Sequence, residues 1–177
     1  MTLPGLFIEY LVSGALALIW LVPLLPGDVS TLQPWQAPIV AAFLYVLGMS
    51  IDLVAFALLR PAKWRLRNVV ARRMNLSHYA SIGSASARLA FLQRASPVIA
   101  AEIAARSSRD RIARCTFVNA VLFAFLGNSG WPAQYLLLLC VAALGMWLIF
   151  EASSHTYELR AAQELDYVPK FSGRSDA

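Results

Sequence analysis

Tyr45-Val46-Leu47-Gly48-Met49-Ser50-Ile51-Asp52-Leu53-Val54-Ala55-Phe56-Ala57-Leu58-Leu59 runs without a break into Arg60-Pro61-Ala62-Lys63-Trp64-Arg65-Leu66-Arg67. An apolar run gives way at one residue to a dense basic one. That junction is how a membrane span meets a cytoplasmic surface, where positive side chains are retained. Basic character continues to Arg114: between Arg60 and Arg114 stand twelve Lys or Arg and two acids.

Apolar runs flank this block on both sides. They cover about 6–25, 38–59, 112–126 and 133–150. A hydrocarbon core about 30 Å thick takes about 20 helical residues, so the first, second and fourth runs are long enough. The third is short and holds Thr116 and Asn119; it spans if it reaches Ser129 and if Arg111 and Arg114 snorkel to the headgroups. The expected fold is therefore an all-α integral membrane protein of four transmembrane helices with cytosolic helical extensions. Its parts are a first transmembrane hairpin (1–60), a basic cytosolic helical region (61–111), a second hairpin (112–152) and a cytosolic C-terminal helix and tail (153–177).

Composition agrees. Hydrophobic residues make up 59% of the 177 and charged residues 14%, against about 45–50% and about 25% in soluble domains. Too little polar surface is available to cover a water-soluble core. The net charge of +5 is concentrated beside spans, so anionic lipid headgroups are its expected partner and nucleic acid is not. The 26–37 linker carries only Asp28, and Gly127-Asn128-Ser129-Gly130 carries no charge. Charge bias thus predicts an inner-membrane, multi-pass protein with the central loop and both termini cytoplasmic. The N-terminal run lacks a leading Lys or Arg and contains Glu9, so it is read as a retained span, not a signal peptide.

Within the basic block, 63–79 alternates cations with Trp64, Leu66, Val69, Val70, Met74 and Leu76. This predicts a helix lying at the interface, with Lys63, Trp64, Arg65, Arg67 and Arg72 among the headgroups. Ser81–Ser84 reads as a break, followed by a short helix over 85–95. Ser96 is a good N-cap with Pro97 at the first helical position, and neither Gly nor Pro recurs before Gly127. One helix is expected over 97–126, and the fourth span is expected to continue to about residue 165. Glu102, Arg106, Asp110 and Arg114 recur every four residues with alternating sign, as successive ion pairs on one face. The Ser/Gly/Asp-rich end beyond Pro169 reads as a frayed tail.

Ionisable groups inside spans are expensive and mark functional or packing sites. Glu9, Asp52, Asn119 and Glu151 all fall in the cytoplasmic half of their runs and are expected to form one polar layer, with Arg114 or Arg60 as counter-charge. Gly14 and Gly48 are small enough to let helices approach. Cys115 and Cys140 lie in apolar runs as packing residues, His155 is expected at the headgroups, and no metal or cofactor is implied. Arg73-Met74-Asn75-Leu76-Ser77-His78 resembles the R-x4-H pattern of the HEPN ribonucleases. That resemblance, six residues long, implies Arg73 and His78 as a catalytic pair acting on RNA in a dimer.

The leading functional expectation is a non-enzymatic membrane component that oligomerises or holds a cytosolic protein partner through its basic helices. A homo-oligomeric channel lined by Glu9, Asp52 and Asn119 is the alternative, and the ribonuclease reading ranks third.

Overall fold

A computed structural model describes residues 3–24, 33–81, 84–127 and 130–165. These form helices α1 (Leu3–Leu21), α2 (Ala37–Arg73), α3 (Ser77–Ser81), α4 (Ala85–Ala95), α5 (Pro97–Leu126) and α6 (Ala133–Glu164), with 3₁₀ turns at Val22–Leu24 and Pro34–Gln36. Among the described residues there is no strand. The expected turn at Gly127–Gly130, the break at Ser81–Ser84 and the tail beyond Pro169 fall partly or wholly outside the described residues.

Three helices, α1, α2 and α6, are long and apolar enough to cross a membrane. Their apolar side chains point outward: Leu53 is 70% exposed and Ile149 67%. A water-soluble bundle would bury such residues; in lipid the outer face costs nothing and the interior takes the polar groups. α5 packs against α1, α2, α4 and α6 and so sits at the centre. Cys115, Val118 and Ala120 on its apolar half are buried.

Two helix boundaries show how local chemistry sets the architecture. α5 begins where the sequence places it: Ser96 accepts a hydrogen bond from the Ile99 amide and Pro97 occupies the first turn, satisfying a donor that has no intrahelical acceptor. α2 ends in a Schellman turn. Asn75 adopts φ +56°, the Leu76 amide donates to the Ala71 carbonyl at 2.9 Å, and Leu76 packs with Ala71 and Leu159. The left-handed residue and the 6→1 bond define that motif.

The expected separate interfacial helix over 63–79 is not what forms. α2 runs 37 residues through Pro61, about 55 Å by helical rise. Pro61 deprives the Ala57 carbonyl of its donor, yet the helix runs on through it to Arg73. Lys63 and Arg67 then turn into the bundle, which fixes the extension against α5 and α6.

Candidate functional site: a buried chain of ion pairs

The charged side chains of the interior form one alternating series across five helices. From α1, Glu9 accepts a hydrogen bond from Arg111 of α5. Arg111 Nε lies 3.7 Å from Asp52 of α2, and Arg114 donates to the same carboxylate through Nε at 2.9 Å and Nη2 at 2.6 Å. Arg114 also lies 3.7 Å from Asp110. Lys63 Nζ bridges Asp110 at 3.1 Å and Glu151 of α6 at 2.7 Å. Arg67 donates to Glu151 and approaches Glu158 at 4.0 Å. Arg88 of α4 closes the series on Glu158 at 2.9 Å.

Acids and bases are equal in number and strictly alternate. From Asp52 to Arg67 the series advances about 22 Å along α2, by the rise of an α-helix. It begins among apolar residues and ends on the extension. Such charges are tolerable away from water only when paired and hydrogen-bonded. Here each carboxylate has a cation, and Glu151 is 1% exposed. On α6 the stripe Trp147, Glu151, His155, Leu159 is buried throughout.

Asp110, two residues before the apolar run of α5, is strained electrostatically. Burial first, then the neighbouring Glu151 carboxylate, push it from the usual 3.8 to about 6 against the pull of Lys63. Its Oδ1 is buried without a hydrogen-bond donor.

Several expected residues therefore meet, and others do not. Glu9, Asp52 and Glu151 join the series, and Asp52 takes Arg114 as its counter-charge. Asn119 stands apart: its amide donates to the Ser13 carbonyl at 3.2 Å and its oxygen accepts from Trp20 at 2.9 Å, tying α5 to α1 eight residues, about 12 Å, from Arg111. Of the expected ion-paired face, Glu102 and Arg106 pair at 2.7 Å and Asp110 lies 3.7 Å from Arg114, with Asp110 buried. Arg106 is spent on α6, donating to Ser153 at 2.8 Å and covering the Tyr157 ring.

The headgroup set divides. Trp64, Arg65 and Arg72 are exposed, whereas Lys63 and Arg67 are turned inward. The reason is geometric: residues four apart share a face, and that face meets Asp110 and Glu151. His155 is buried, its Nδ1 3.7 Å from Glu158, instead of sitting at the surface. Arg111 reaches Glu9 instead of snorkelling outward; acids at matched depth in the first two runs were the signal for it. Nothing local marked Arg88, which also donates to the Tyr79 carbonyl. Arg73 and His78 stand on different helices, separated by the Asn75 turn, and both are exposed.

Comparison of the chain with protein-family models, curated proteins and solved structures returns no match.

Proposed function

We propose that the chain is a four-span protein of the inner (plasma) membrane, with both termini and the 61–111 region cytoplasmic, acting as a non-enzymatic component that holds an acidic cytosolic protein partner. In this reading the apolar half of α5, from residue 112 onward, is the third span. Its enclosure by α1, α2 and α6 explains why it need not be apolar on all sides, and Arg111 and Arg114 are neutralised by Glu9 and Asp52.

The observation that carries the reading is how charge divides between interior and surface. The interior series consumes acids and bases equally. Arg60, Arg65, Arg72, Arg73, Arg94, Arg109 and Arg160 are exposed and take part in no ion pair among the described residues, while Glu164 is the exposed acid left to oppose them. Among the described residues the excess positive charge is thus displayed on one end, from Arg60 outward along the extension. Arginines nearest the apolar runs meet anionic headgroups, each worth about 1 kcal/mol there. Those farther out face a partner, whose approach they steer.

Reporter fusions at residues 30, 85 and 170 should score outside, inside and inside; residue 85 outside would overturn the topology and the reading with it. Replacing Arg72, Arg73, Arg94 and Arg160 together by Glu should leave folding and insertion intact, because exposed unpaired sites change stability by about 0.5 kcal/mol or less. The same change should abolish co-purification of a partner from the native membrane. Retention of that partner would refute the assigned surface.

A further inference from the structure

We infer that Asp110 and Glu151, facing each other from α5 and α6 across the ammonium of Lys63, form a proton-binding site that exchanges one proton with solution while the protein stays folded.

The argument starts from hydrogen-bond accounting. The two carboxyl groups share one ammonium, Lys63 Nζ lying 3.1 Å from Asp110 Oδ2 and 2.7 Å from Glu151 Oε2, and two ionised carboxylates brought this close have no proton to share. Asp110 Oδ1 and Glu151 Oε2, one oxygen from each group, are both buried without a hydrogen bond. Lys63 lies 2.7 Å from Glu151 Oε2, so that oxygen has charge compensation but an unfavourable bonding direction. An orphaned buried acceptor costs about 1–3 kcal/mol, and more when charged. One proton held between the pair supplies the missing donor: the protonated carboxyl donates and its neighbour accepts.

Every charged group around the pair can be named. α2 contributes Lys63 and Arg67, α5 contributes Arg114, and α6 contributes His155 and Glu158. Beyond Arg114 stand Asp52 and then Arg111 with Glu9, and beyond Glu158 stands Arg88. The cations facing the pair, Lys63, Arg67 and Arg114, prevent a second proton from binding and exclude a metal cation by repulsion. Asp110, with one oxygen on Lys63 and one orphaned, is the member that takes the proton. Glu151, held by both Arg67 and Lys63, stays ionised as acceptor. Lys63 is 22% and Arg67 28% exposed at the side chain, so the proton has a short route past their stems to water.

Proton binding changes the charge of a sealed interior by one, at the junction of span and extension. The site does not depend on which side of the membrane that junction faces, so it stands or falls separately from the topology proposed above.

Solution NMR of the full chain in detergent, isotope-labelled at the aspartate carboxyl carbon, reads the site without mutation. Of the five aspartates in the chain, one resonance should titrate with a midpoint about 6, reversibly and with the amide spectrum of the fold preserved. That resonance should vanish in Asp110→Asn, and in Glu151→Gln its midpoint should move. If Asp110→Asn fails to fold, Lys63→Gln serves instead: loss of the ammonium should raise the midpoint further. Stability gives a second reading. A carboxyl with a raised folded pKa contributes stability that is complete below the unfolded value of 3.8 and lost as pH rises through about 6. The stability of wild type relative to Asp110→Asn should therefore fall across that window. Ordinary titration of all five aspartates, or the same raised midpoint surviving in Asp110→Asn, would overturn the proposal.

Discussion

Two junctions hold α2 in place, and they use opposite chemistry. Toward the end of α2 that begins at Ala37, α1 and α2 touch backbone to backbone: the position a Cβ would take on Gly48 is filled by the Tyr10 carbonyl, and that on Gly14 by the Leu44 carbonyl. Tyr10 and Gly14, like Leu44 and Gly48, are one turn apart, so the contact is reciprocal. Toward the other end, α2 meets α5 and α6 through Asp52, Lys63 and Arg67, all in ion pairs. Lipid chains are as apolar as Leu, so burying apolar surface does not draw helices together in a bilayer. Either the backbones approach closely enough for dispersion to act, or polar groups seek each other. This chain does the first among apolar residues and the second where the apolar run of α2 gives way to its basic extension. The two meet within one turn, since Asp52 follows Gly48 by four residues.

The charged junction should be the more fragile to one-sided change. Arg114→Met leaves Asp52 with only the 3.7 Å approach of Arg111 and removes a neighbour of Asp110. Breaking a buried pair from one side costs about 3–5 kcal/mol, and a loss near 4 kcal/mol is expected in a denaturation series in detergent. Asp52→Leu on that background should recover at least half, because no stranded charge remains. Full additivity of the two changes would mean the pair is not coupled. From sequence, Asp52→Asn looks harmless if Asp52 merely joins helices, since an amide keeps the hydrogen bonding and removes a costly charge. With Arg114 bound to Asp52 Oδ1 at two points, the same change leaves its guanidinium only the 3.7 Å approach to Asp110, and stability should fall.

The glycine junction should respond to size alone. Gly48→Ala places a methyl on the Tyr10 carbonyl, and overpacking of this kind costs about 1–3 kcal/mol. Gly145 supplies the control: nothing lies within 4 Å of its Cβ position. Gly145→Ala should gain about 0.5–1 kcal/mol from helix propensity. Equal responses at the two sites would show that α1 and α2 do not touch as described.

Much of the helical layout was readable from composition and punctuation. The bounds of α4 and α5 follow from Ser96-Pro97 and from the absence of Gly or Pro between Pro97 and Gly127, and α6 follows from an apolar run that continues into a polar one. The acids of the interior were readable too, because a carboxylate in an apolar run stands out. Their partners were not. Whether Lys63 faces lipid headgroups or Glu151 depends on how α2 is rotated, and that rotation is set by α5 and α6. The charges of α5 read the same way: an 18-residue window over 109–126 gathers Arg109, Asp110, Arg111 and Arg114, and of these Arg111 and Arg114 meet Glu9 and Asp52 on neighbouring helices. Sequence shows the charge of a side chain; only packing shows what that charge meets.

The smallest effect belongs to neither junction and sets the scale for both. Asn75 ends α2 with φ +56°, in the left-handed region where a β-carbon costs about 1–2 kcal/mol and Asn or Gly is tolerated. Asn75→Val should therefore destabilise by about 1 kcal/mol, and Asn75→Gly should be close to neutral. Because Leu76 follows directly and packs on Leu159, the damage should stay local to the α2–α3 joint. Hydrogen exchange is the decisive measurement. Amides of Leu76 and Ala80, which donate to Ala71 and Leu76, should exchange faster in Asn75→Val, while those of α5 around Val118 keep wild-type protection. Faster exchange throughout α5 would mean that the joint and the charged junction unfold together, so that α2 acts as one rigid strut from the glycine contact to its cap.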